Sequence, residues 1–113
     1  MHIALAPAKP KAGVTEDMLL KASDDFQAGF VQAQDGVAKR ILVKDVEGGG
    51  YLDIVFFADL AAMDRVVEAE QTSEACQALF SILEEDGEPR VYEVLKTYES
   101  RARPAVEGRP GRQ

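Results

Sequence analysis

The segment Tyr51-Leu52-Asp53-Ile54-Val55-Phe56-Phe57-Ala58 constrains the fold more than any other part of the chain. Its β-branched and aromatic residues suit a strand, in which alternate side chains point to opposite faces. Tyr51, Asp53, Val55 and Phe57 share one face; Leu52, Ile54 and Phe56 share the other. Both faces are mostly apolar, and helices of the same chain can cover only one of them. Burying Leu52, Ile54 and Phe56 is worth roughly 1.5–3 kcal/mol each, so exposure of all three is disfavoured. The simplest cover is the same face of a second copy. The segment therefore predicts a two-fold homodimer with its sheets face to face.

The flanking segments supply the rest of a sheet. Residues 2–9 alternate weakly around Pro7 and read as an edge-like strand, because proline cannot donate to a ladder. Thr15 is a plausible N-cap, with Glu16 and Asp17 where a helix dipole favours acids. Leu19, Ala22, Phe26, Phe30 and Ala33 then form one helical stripe, which Gly36 is placed to stop. Residues 37–45 read as a strand with Val37, Ile41 and Val43 on one face and Arg40 and Lys44 on the other. Gly48-Gly49-Gly50 makes a hairpin turn; it lacks the lysine and the following helix of a phosphate loop.

Asp59 caps a helix carrying Leu60, Met63, Val66 and Val67. Thr72 or Ser73 starts a second piece with Cys76, Leu79, Phe80 and Leu83, and Asp86–Pro89 ends it. Residues 91–98 read as the last strand. The order is β-α-β-β-α-β, the ferredoxin-like arrangement of the α+β class: a four-stranded antiparallel sheet with helices on one face. Residues 1–100 make one domain. Residues 101–113, rich in Arg, Pro and Gly, read as a flexible tail.

Charge narrows the partners. The net charge is −7, although the tail alone holds four arginines against one glutamate. So acidic a body excludes nucleic acid and anionic membrane as main partners. No apolar run approaches a membrane span. Cys76 is the sole cysteine, and the N-terminus lacks the basic and apolar regions of a secretory signal. Both fit a reducing cytoplasm.

Three segments carry a family resemblance. Residues 11–20, Lys-Ala-Gly-Val-Thr-Glu-Asp-Met-Leu-Leu, look like the entry to the first helix of dimeric α/β-barrel proteins. Tyr51–Phe57 followed by Asp59-Leu60-Ala61-Ala62-Met63 resembles their strand-to-helix segment, and Val91–Leu95 their closing strand. The likeness covers residues 2–98 and is nearest to antibiotic-biosynthesis-monooxygenase-like (ABM) domains. It implies a ligand cavity inside each subunit, between helices and sheet. It also implies cofactor-independent oxygenation of an activated aromatic, or an isomerisation, with no cofactor to bind. The rival is a non-catalytic dimerisation or assembly module. The heme-degrading branch uses Asn, Trp and His, at places that fall near Ala6, Val66 and Cys76. The sequence contains no Asn and no Trp, so heme degradation of that type is rejected.

Asp53 is the candidate catalytic residue. A carboxylate among apolar neighbours can serve as a base; the alternative is an ion pair with Lys39, Arg40 or Arg90. Phe26, Tyr51, Phe57, Val66, Cys76 and Tyr92 are the candidate ligand contacts. The two phenylalanines should face the space between helix and sheet, and the tyrosines could orient a phenolic or quinone-like molecule through their hydroxyls. Cys76 reads chiefly as a small buried hydrophobe. One His and one Cys give no metal-ligand spacing.

Overall fold

The computed structural model describes residues 1–85 and 87–100. Its elements are β1 (His2–Ala8), α1 (Glu16–Gly29), a 3-10 turn (Val31–Ala33), β2 (Val37–Lys44), β3 (Tyr51–Phe57), α2 (Leu60–Glu70), α3 (Glu74–Phe80) and β4 (Arg90–Glu93). Each α-helix starts on a side-chain cap that satisfies an otherwise orphaned N–H. Met18 N donates to Thr15 Oγ1, Ala62 N to Asp59 Oδ1 and Cys76 N to Ser73 Oγ. The β2–β3 hairpin closes on Asp45. Its Oδ1 accepts from Glu47 N and Gly48 N, and Gly49 takes a φ of 78° that favours glycine.

The strands pair antiparallel throughout in the order β2-β3-β1-β4. Phe57 of β3 is buried with Phe26 and Phe30 around the end of α1, Val66 of α2, and Cys76 and Leu79 of α3. The helices thus cover the face that carries Phe57. This is the ferredoxin-like α+β architecture expected from the order of elements.

Four details differ from expectation. First, β1 is an interior strand, with β3 on one side and β4 on the other. Proline is tolerated because β4 pairs only with His2–Leu5, so Pro7 lies past the end of that ladder. Second, α1 stops at Gly29, short of Gly36. A Cβ on Gly29 would stand 3.1 Å from Ala75 Cβ, so α1 approaches α3 closely just where it ends. Gly36 serves a different close approach, since a Cβ there would collide with that of Ala62.

Third, the register of β2 slips between Val37 and Lys39. The bulge turns Val37 to the helix side, where it packs on the core, away from the face of Ile41 and Val43. Fourth, β4 covers only Arg90–Glu93. Its partner β1 begins at His2, and the last bond of this edge runs from Val94 N to Met1 O. Beyond it the chain has no strand to pair with. The tail expected at 101–113 lies outside the described residues, as does Asp86.

Candidate functional site

The inward positions of β1 are Ala4, Ala6 and Ala8, opposite Val55, Asp53 and Tyr51 of β3. Three methyl groups in a row, on a central strand, leave space between sheet and helices that larger side chains would fill. The result is a cavity of about 370 Å³. Val55, Phe57 and Asp53 form its floor beside the alanines. Met63, Val66, Val67 and Glu70 of α2 and Leu79 and Phe80 of α3 form its roof, and Phe26 of α1 closes one end. Leu83, Pro89 and Val91 line it as well. This size and apolar lining, with few polar groups, match a small-molecule site.

Asp53 is ion-paired. Arg40 lies diagonally across on β2 and donates from Nε to both carboxylate oxygens, at 3.0 and 3.1 Å, and from Nη2 to Oδ2 at 2.9 Å. The remaining donors of Arg40 go to α1: Nη2 to Ser23 Oγ at 2.8 Å, and Nη1 to Ser23 O and Gln27 Oε1 at 3.4 Å. The guanidinium also stands 5.0 Å from the centre of the Phe26 ring. Arg40 therefore uses its fork to tie α1 to the sheet and to hold Asp53 as a charged pair.

Glu70, at the end of α2, differs. Among the described residues its carboxyl has no hydrogen-bond or ion-pair partner. Burial, reinforced by the charge of Asp53, holds its pKa above the ordinary 4.5. It is the functional candidate that reading the sequence missed. The signal was present: Met63, Val66, Val67 and Glu70 share one stripe of α2, and a glutamate that continues an apolar stripe is out of place.

Of the expected contacts, Phe26, Asp53, Phe57 and Val66 meet around the cavity. Three others do not. The hydroxyl of Tyr51 donates to Glu16 Oε1 at 2.9 Å, which ties it to the start of α1. Tyr92 pairs with Ile3 and so lies on the opposite face of the sheet, because β4 presents Val91 inward. Cys76 is fully buried behind the cavity wall. Burial, and then the charge of Glu70, push its thiol up to about 12, so it is neutral at physiological pH and a poor nucleophile.

No protein-family model and no curated protein matches the sequence. Solved structures do match. A Deinococcus radiodurans protein proposed to be an antibiotic biosynthesis monooxygenase superposes with a TM-score of 0.68 at 18% identity, over 90% of this chain and 100% of its own. SnoaB, a cofactor-independent oxygenase from Streptomyces nogalater, gives 0.65 at 15% identity, over 85% of this chain and 95% of its own. The chain has the ABM-domain fold. A variant of MhuD with two manganese protoporphyrin IX molecules bound per active site shares it too, with a TM-score of 0.64 at 13% identity, over 88% of this chain and 100% of its own. A cofactor-independent oxygenase and a porphyrin-bound protein thus share the ABM-domain fold, and the site must decide function.

Proposed function

We propose that this protein binds a small, partly apolar molecule, aromatic or quinone-like, in the cavity between helices and sheet. The row Ala4, Ala6 and Ala8 carries the reading, because it opens a cavity where an ordinary ferredoxin-like core would be filled. The likeness to SnoaB supports cofactor-independent monooxygenation as the activity. In this reading Phe26, Phe57 and Val66 hold the ring. Asp53 is an oriented, charge-paired carboxylate at the floor rather than a free base. The lack of Asn and Trp weighs against heme degradation of the Asn/Trp/His type, although the porphyrin-bound MhuD variant shares the fold.

The working unit is a homodimer joined through the outer sheet face. Ile3, Leu5, Ile41, Val43, Leu52, Ile54 and Phe56 share that face by register. Such an apolar expanse on an isolated subunit favours association. Beyond β4, Leu95 and Tyr98 are 88% and 79% exposed on a segment without a strand partner, and a second copy could cover them as well. Among the described residues no helix is long and apolar enough to cross a membrane. The lone buried Cys76 fits a reducing cytoplasm.

The outer face equally favours a second reading, a non-catalytic dimerisation or assembly module. A native mass spectrum of the protein as purified separates them. A dimer with retained small-molecule mass supports the ligand-binding reading. A bare dimer that takes up no aromatic probe leaves the assembly module. A monomer contradicts the dimer, and Ile54→Glu should turn a dimer into a monomer.

A further inference from the structure

The cavity holds two carboxyl groups of opposite circumstance. Asp53 is neutralised by Arg40, with both its oxygens engaged. Glu70 lines the same cavity and has no hydrogen-bond or ion-pair partner among the described residues. A half-buried carboxyl without a donor loses hydration and gets nothing back within the chain. A second feature points the same way. An adjoining depression of about 270 Å³ shares Ala6, Pro7, Phe80, Leu83 and Pro89 with the cavity and adds Glu84 and Glu85 to its wall. Among the described residues, the cations Lys9 and Arg90 at this end of the sheet line neither space. An apolar site bordered by acidic groups draws cations and repels anions.

Resting on the ligand-binding reading above, we propose that Glu70 is the ligand-recognition residue of the cavity: it accepts a hydrogen bond from an O–H or N–H of the bound molecule, and the cavity selects neutral or cationic donor ligands over anions of the same shape. The apolar walls grip the body of the ligand and Glu70 reads its polar end. The other titratable groups near Glu70 do not supply the selection. Asp53 of β3 is paired with Arg40 of β2, and Cys76 of α3 is a neutral thiol. The lining residue from α1 is the uncharged Phe26.

The test uses three probes on one apolar body: 2-naphthylmethylammonium, 2-naphthol and 2-naphthoate, titrated by calorimetry into the full chain at neutral pH. The expected order is ammonium above naphthol above naphthoate. In Glu70→Gln the ammonium should lose about ten-fold or more in affinity relative to naphthoate, the scale of one charge-assisted hydrogen bond. A variant with the same order and spacing as wild type overturns the inference, and so does naphthoate binding as tightly as the ammonium in wild type. Should Glu70→Gln fail to fold, the wild type decides. Acidification that neutralises Glu70 must shrink the advantage of the ammonium over naphthol, neither of which changes its own charge in that range, and an unchanged advantage overturns the proposal. If even naphthol fails to bind, the ligand-binding reading itself falls, which is a different result from binding without charge selection.

Discussion

The space between helices and sheet has a packed half and an open half. Under α1, Phe26 and Phe30 stack with ring centres 5.5 Å apart, and Arg40 fastens Ser23, Gln27 and Asp53 together. A void of about 30 Å³ is left there. Under α2 and α3 the alanines of β1 leave about 370 Å³. One half joins its polar groups to each other and fills its volume. The other leaves its volume empty, and Glu70, which borders both, has no hydrogen-bond or ion-pair partner among the described residues. Substitutions peculiar to the two halves should therefore have different consequences.

The largest effect is expected in the packed half. Arg40→Ala leaves the half-buried Asp53 without its partner and should cost about 3 kcal/mol in urea unfolding. Replacing both members together, as Arg40→Met with Asp53→Leu, should recover most of that loss, because no uncompensated charge remains. A double variant as unstable as the single one would show that the clamp is more than a charge pair. Phe30→Ala, at a residue 5% exposed, should also cost about 3–5 kcal/mol by opening a cavity in a filled region.

The open half should respond in binding instead. Ala6→Phe places a ring where volume is available. Its stability cost should stay under about 1 kcal/mol, against the usual 1–3 for overpacking. Binding of 2-naphthol should fall at least about ten-fold. Severe destabilisation in this variant would mean that the cavity is not free volume.

Glu70→Gln should have the smallest effect on folding, and its sign is fixed. The folded-state pKa of Glu70 lies above its ordinary 4.5, so the folded chain binds the extra proton within that window. Stability drawn from Glu70 is therefore complete below the ordinary value and lost as pH rises through the raised one. At neutral pH the variant should melt above wild type. Thermal melts across acidic to neutral pH should show a shallower decline for it, and parallel curves would remove Glu70 as their cause.

Sequence alone carried the fold because its signals were local: Thr15, Asp59 and the pair Thr72-Ser73 as caps, of which the structure uses Ser73, the glycine turn after Asp45, and the two-faced strand at 51–58. It failed where tertiary context ruled. Pro7 resembled an edge residue because the end of the β4 ladder cannot be seen in β1. The bulge that turns Val37 inward has no composition of its own. For the site, alternation grouped Asp53, Val55 and Phe57 on one face, and the resemblance to ABM domains turned that face toward the helices. Tyr92 could not be placed without the register of β4, and the hydroxyl of Tyr51 was taken by Glu16, distant in sequence. The cavity itself was written in Ala4, Ala6 and Ala8, but small residues signal space only once the strand is known to be central.

The central claim is that a small apolar ligand enters the open half and no other part of the molecule. An amide-resolved NMR titration of the full chain with 2-naphthol tests it directly. The account predicts saturable shifts at Ala4, Ala6, Phe57, Val66, Glu70 and Leu79, with little change at Ile41, Val43 and Leu52 on the outer face. Shifts confined to the outer face, or none at saturating probe, would contradict it.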